Sequence, residues 1–160
     1  MITIGFFSND NLLAQIIKWF EGSPVNHCAI GFVKNGGQCW LQAAHAGIQV
    51  VDRGWLSGLV AEFQVIPNIE NEVGLAEQRV GQPYDDLTLV GMAIIIIAKL
   101  FGIGINNPFY QKAGAICSEL IVEADTQRLI SEFNGLDPAN ISPAQLYQIC
   151  LQGKSFKRIS

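Results

Sequence analysis

Apolar and polar residues alternate in short runs through the first 66 positions, then shift to a spacing of three and four. Alternation predicts half-buried strands, and the longer spacing predicts amphipathic helices. Residues 2–7 read as a first strand. Ser8, Asn9 and Asp10 carry side chains suited to capping a helix. Leu12, Leu13, Ile16, Ile17 and Phe20 then recur on one helical face, which predicts a helix over 11–20. Gly22-Ser23-Pro24 ends it. Strands over 26–33 and 38–43 flank Asn35-Gly36-Gly37, a hairpin signal. Further strands are expected over 47–51 and 62–66, so this half is mostly antiparallel sheet with one helix.

Beyond Pro67 the spacing predicts a helix over 70–80, stopping near Gly81, and a turn at Gly81-Gln82-Pro83-Tyr84-Asp85. Residues 87–104, LTLVGMAIIIIAKLFGIG, approach the length of a membrane span. Lys99 interrupts them, and a lysine at mid-bilayer costs about 2.5–3.5 kcal/mol. The expectation is a helix, or a helix broken near Gly102, packed on the domain. Part of its apolar surface is left to meet lipid, an acyl chain or a partner subunit. A helix opening at Cys117 should run to about Ile130, and another should start at Ser142-Pro143. Residues 155–159 complete the elements as a last strand.

Composition narrows the class. At 160 residues, 49% hydrophobic and 15% charged, residues 1–160 are expected to form one domain with a sizeable core. The formal net charge of -4 and the lack of a basic cluster argue against nucleic acid as a partner. The four cysteines Cys28, Cys39, Cys117 and Cys150 form no C-x-x-C pair, so no zinc site, metal or other cofactor is expected. The first residues lack a basic region and a cleavage pattern. Reduced thiols and a cytoplasmic location follow as expectations, with later release left open.

The candidate chemistry centres on Cys117. A thiol at a helix N-terminus feels the positive end of the peptide dipoles, which favours thiolate. The alternative is a buried structural cysteine. A thiol nucleophile needs a base, and His27 and His45 are the two histidines. His27 opens a strand after a proline turn, a rigid position; His45 lies in a small-residue turn. The base needs a partner on its other nitrogen. Gln42, on the strand across the hairpin, lies within reach of His27, with His45 as the rival for that role.

Three stretches carry a family resemblance: Gly22-Ser23-Pro24-Val25-Asn26-His27-Cys28-Ala29-Ile30, Gly81-Gln82-Pro83-Tyr84-Asp85 and Ile116-Cys117-Ser118-Glu119-Leu120-Ile121. With Ser142-Pro143-Ala144-Gln145-Leu146 they follow one another as in the circularly permuted NlpC/P60 proteins of the papain-like cysteine peptidase superfamily. The chain resembles that family over nearly its whole length. The resemblance implies an α+β papain-like fold, an antiparallel sheet packed against helices that include the nucleophile helix. It implies Cys117 as nucleophile, His27 as base and Gln42 in a place where the family often has glutamate. Tyr84, Asn26 and Ser118 become substrate-binding candidates. The expected function is a cysteine hydrolase working through a thioester, a peptidase or amidase of cell-wall-type peptides. The alternatives are a lipid acyltransferase or thioesterase, and a non-catalytic protein that binds a membrane surface or a partner. The substrate is accordingly expected to be a peptide or an acyl-containing molecule.

Overall fold

The computed structural model describes residues 1–9, 15, 18, 22–85, 90, 91, 94, 95, 98, 101–106 and 115–160. Among these, six strands form one antiparallel sheet: β1 Thr3–Phe7, β2 His27–Lys34, β3 Gly37–Ala44, β4 Gly47–Asp52, β5 Leu59–Val65 and β6 Phe156–Arg158. Their order is β4-β3-β2-β1-β5-β6. Three helices have described bounds: α1 Glu70–Glu77, α2 Cys117–Ala124 and α3 Pro143–Gln152. Most of the helix expected over 11–20 lies outside the described residues, although Gln15 and Lys18 are helical.

Local chemistry accounts for the β2–β3 hairpin. Asn35 and Gly36 both have positive φ, 51° and 79°, which a two-residue turn with the sheet's own twist requires. That turn fixes the register at Lys34↔Gly37, and the ladder extends to Ile30↔Leu41. β2 continues three residues further, to His27, paired there with Phe7 of β1. The start of β2 therefore projects past the ladder it shares with β3.

The two sheet faces are unequal. One carries Ile4, Phe6, Cys28, Ile30, Leu41 and Phe63 into a large apolar cluster with Cys117, Leu120 and Ile121 of α2 and Leu146 of α3. Burying each large aliphatic side chain there contributes about 1.5–3 kcal/mol. The other face is a small cluster of Phe7, Ala29 and Trp40. Trp40 covers Gly31, where a Cβ would come within 2.7 Å of the indole and 2.2 Å of Thr3 Oγ1. Glycine is needed there for close approach. The Arg53 guanidinium stacks on Trp40, 4.9 Å from the ring centroid, and makes a two-pronged bond with the buried Glu62.

Two helix ends differ from expectation. The Cys117 helix stops at Ala124, well short of Ile130, because the Asp125 carboxylate accepts the backbone N–H groups of Leu129 and Ile130 at 2.8 and 2.9 Å. Those bonds fold the chain into a turn that competes with further helix. The helix expected over 70–80 ends at Glu77 in turns leading to Gly81 at φ 92°. α3 starts as expected, with Ser142 Oγ accepting Gln145 N–H at 3.2 Å and the Gln145 side chain returning to Ser142 N–H at 3.0 Å.

The apolar stretch from Leu87 falls partly outside the described residues. Val90, Gly91, Ile94, Ile95 and Ala98 are helical, and the chain turns at Phe101 and Gly102, the latter at φ 70°. Among the described residues no helix is long and apolar enough to cross a membrane. Ile95 is buried, while Phe101, Ile103 and Ile105 are exposed.

Candidate active site

Cys117 is the first residue of α2, behind an extended Ile116. Its first N–H groups have no partner within the helix, and α2 packs on β2. Contact with the sheet is held by the buried face of α2, on which Leu120, Ile121 and Val122 are almost wholly enclosed. Two loops set the other side. Asn26 Oδ1 accepts Asn9 N–H at 2.9 Å and its Nδ2 donates to Asn9 O at 2.8 Å, while Asn26 N–H donates to Phe7 O. This clamp delivers His27 into its pair with Phe7, whose ring lies 6.0 Å from the imidazole. The Gly81–Asp85 turn docks on β4 through Ile48 N–H to Gln82 O at 2.9 Å, and Tyr84 bridges to Ala115 at the lead into α2.

The structure brings Cys117, His27 and Gln42 together. His27 Nε2 lies 2.8 Å from Gln42 Oε1, and both side chains are buried. With the amide oxygen as acceptor, Nε2 carries the proton and donates it. Nδ1 is then left for the Cys117 sulfur, whose interaction with the ring raises the imidazole pKa. His45 is elsewhere, exposed at the tip of the β3–β4 hairpin. The register explains the choice. Gly31 pairs with Trp40, so His27 and Gln42 share a face by the two-residue repeat.

The protonation balance follows from the contacts. Burial pulls the His27 imidazole down, but the Cys117 charge, the bond to Cys117 and the bond to Gln42 outweigh it, leaving His27 above its ordinary value. The Cys117 thiol is held well below its ordinary value, first by a hydrogen bond from the Cys28 thiol. Burial opposes this, and the His27 charge, the His27 bond and the Cys28 backbone N–H reinforce it. Both directions favour a thiolate–imidazolium pair in a buried setting.

Sequence reasoning missed Cys28. Adjacent strand residues point to opposite faces, so a strand pattern separates Cys28 from His27. Both nonetheless act on the Cys117 thiol and lower its pKa. Two other candidates are engaged in hydrogen bonds within the fold. Ser118 is fully buried and donates to Ile141 O at 2.6 Å, pinning α2 to the segment before α3. Asn26 is committed to its clamp on Asn9. Tyr84 is half-buried and its backbone bridges to Ala115, two residues before Cys117. A separate polar hollow of about 560 Å³, lined by Arg79, Glu123, Asp125 and Arg128 among others, lies toward the other end of α2.

No family model matches the chain, and no curated protein is significantly similar to it. The fold is similar to that in the crystal structure of metalloprotein yiiX from Escherichia coli O157:H7, DUF1105, with TM-score 0.55 at 13% identity over 99% of this chain and 94% of that one. This corrects the expected membership of the circularly permuted NlpC/P60 family and, with it, the papain-like assignment of the fold. The short motifs behind that expectation do general work. Gly81 makes a positive-φ turn, and Ser142-Pro143-Ala144-Gln145 is a capping box that opens helices of many folds. Such devices mark turns and helix starts whatever the ancestry. What the chain has is a mostly antiparallel six-stranded sheet with three bounded helices among its described residues, similar to the DUF1105 structure.

Proposed function

We propose that the chain is a cysteine hydrolase that cleaves an acyl bond, with a peptide-type amide as its substrate. The observation that carries the reading is Cys117 at the first turn of a buried helix, its thiol pKa lowered by a histidine that Gln42 holds through the other ring nitrogen. The Cys117 thiolate attacks the carbonyl carbon. The oxyanion takes a hydrogen bond from the Cys117 backbone N–H at the helix start. The His27 imidazolium gives its proton to the leaving amine, and a Cys117 thioester remains. Neutral His27 then removes a proton from water, which attacks the thioester and frees the acid. Gln42 keeps the imidazole in the tautomer and orientation that both half-reactions need.

A second reading, transfer or hydrolysis of lipid acyl groups through the same thioester, draws support from the exposed Phe101, Ile103 and Ile105. The word metalloprotein in the neighbour's description suggests a metal, but the residues here do not fit one. Among the described residues no group of three or more His, Cys, Asp or Glu side chains could hold an ion, and an amide occupies His27 Nε2. No step is assigned to a metal.

The test is covalent labelling of the full chain with a peptidyl acyloxymethyl ketone, followed by assays on peptide amides and long-chain acyl thioesters. Selective labelling of Cys117, abolished in His27→Ala, supports acyl chemistry, and the preferred substrate class separates the two readings. Equal labelling of all cysteines, or unchanged labelling in His27→Ala, overturns the proposal.

A further inference from the structure

The apolar run after the Gly81–Asp85 turn takes no part in the peptide chemistry proposed for Cys117. Its two ends are joined. Tyr84 forms a parallel bridge with Ala115, and Asp85 N–H donates to Ala115 O at 3.5 Å. The chain between them therefore leaves the body of the protein and returns to the same place. Near the middle of that excursion it turns with its backbone amides satisfied. Phe101 N–H and Ile103 N–H both donate to Ala98 O at 3.0 Å, and Gly102 takes φ 70°. That is the left-handed cap that closes a helix. The side chains it presents are apolar and face water: Phe101 is 76% exposed and Ile103 55%, with Ile105 exposed beyond them. Val90 and Ile94 are exposed too, four positions apart and so on one helical side, while Ile95 is buried. From Val90 to Ile105 no described residue has a polar side chain. Contiguous exposed apolar side chains mark an interaction site.

Charge says what this surface meets. From Leu87 to Ser118 the only charged residues are Lys99 and Lys112. The run thus contributes two positive charges to a chain of net charge -4, and the rest of the chain carries -6. An apolar tip in a purely basic run, on an otherwise acidic protein, is complementary to a surface that is apolar inside and negative at its edge. We infer that the 90–105 tip docks peripherally on an anionic lipid surface. Phe101, Ile103 and Ile105 enter the headgroup boundary, and Lys99 and Lys112 supply the attraction to the lipid charge.

The joined ends fix the mode of contact. A single crossing would place Tyr84 and Ala115 on opposite faces of a bilayer, whereas their backbones are bonded to each other. The tip therefore dips into the interface and returns. Charge also separates lipid from a second copy of the chain as the occupant. A two-fold contact through this tip would set each basic run against its own copy, with no acidic residue in the run to offset it. The docking is independent of what Cys117 does, and it stands if the acyl chemistry fails.

The test is flotation of the full-length chain with phosphatidylcholine vesicles, with and without phosphatidylserine. The chain should float with the phosphatidylserine vesicles, bind phosphatidylcholine alone more weakly, and lose the difference in high salt. Replacing both Phe101→Ser and Ile103→Ser should lower partitioning about tenfold or more on either vesicle. Lys99→Gln and Lys112→Gln should each lower it about fivefold, and only where phosphatidylserine is present. In Phe101→Trp, the phosphatidylserine vesicles should add a blue-shifted emission that the unaltered chain does not show. If the double serine variant loses its native circular dichroism, the lysine variants and Phe101→Trp decide. No flotation with phosphatidylserine vesicles overturns the inference, as does equal binding to both vesicle types or undiminished binding by a folded double serine variant. Retention on membranes through high-salt and alkaline washes also overturns it, in favour of an embedded segment. So does self-association that the serine substitutions abolish while vesicles bind nothing, which would give the tip to a second copy.

Discussion

Replacing Gln42 with alanine removes the acceptor from His27 Nε2 while leaving Cys117 and the helix that carries it untouched. The hydrogen bond is 2.8 Å long and both residues are buried, so water does not readily take its place. A hydrogen bond to a charged group is worth about 1.5–3 kcal/mol, and one to a neutral group about 1 kcal/mol. Nε2–H donates to Gln42 in both states of the ring, so the differential that favours imidazolium is about 0.5–2 kcal/mol. Its loss lowers the His27 pKa and reduces the ratio of ion pair to neutral pair about 2- to 30-fold. The pair exists above the lowered Cys117 pKa and below the raised His27 pKa. Gln42→Ala should therefore bring the upper limit of the reactive window down. The assay is the second-order rate of iodoacetamide alkylation at Cys117 as a function of pH, with the site read by mass spectrometry. Gln42→Glu, which places a negative charge on the imidazolium, should move the same limit upward. If the two profiles superimpose on that of the unaltered chain while the fold is native, Gln42 does not hold the imidazolium and the reasoning is refuted.

Three further outcomes concern the scaffold. Arg53→Met keeps apolar cover on Trp40 but leaves the buried Glu62 carboxylate without its guanidinium; a fully buried pair broken this way costs 3–5 kcal/mol, and with Arg53 36% exposed the loss in urea unfolding should be about 2–3 kcal/mol. Gly31→Ala drives a methyl against Thr3 Oγ1 and Trp40 and should cost about 1–3 kcal/mol or more, with a red-shifted tryptophan emission as the ring is displaced. Glu132 accepts Lys154 N–H and Ser155 N–H at the approach to β6; burial acts against its charge, but the bonds from Ser155 and Ser131 win and its pKa falls to about 2. A carboxylate lowered on folding stabilises above its unfolded value near 4.5 and loses that contribution as pH falls toward about 2. Melting temperatures of the unaltered chain and Glu132→Ala should thus differ most near neutral pH and draw together in acid; a gap that widens in acid contradicts the assignment.

The parts of this protein that the sequence by itself determined are those set by chain neighbours. Asn35-Gly36 dictates a two-residue turn, the turn dictates the register, and the register places Gln42 on the face of His27, since pairing counts residues outward from the turn. Ser142 and Gln145 begin α3 by satisfying amides within one turn. Other features depended on segments distant in sequence. Cys28 acts on Cys117, 89 positions away, only because α2 packs on β2. Strand alternation gives no hint of that contact. Ser118, next to the nucleophile in sequence, is turned inward by the same helix orientation and binds Ile141 O. The stop at Asp125 followed from a carboxylate that found two amides in the chain beyond it, where an amphipathic spacing alone had the helix continue. The ancestry suggested by short motifs also gave way, because turns and caps recur wherever backbone amides need partners. Local hydrogen bonding sets elements and register in the sequence, whereas which side chains meet at the thiol is a property of how those elements pack.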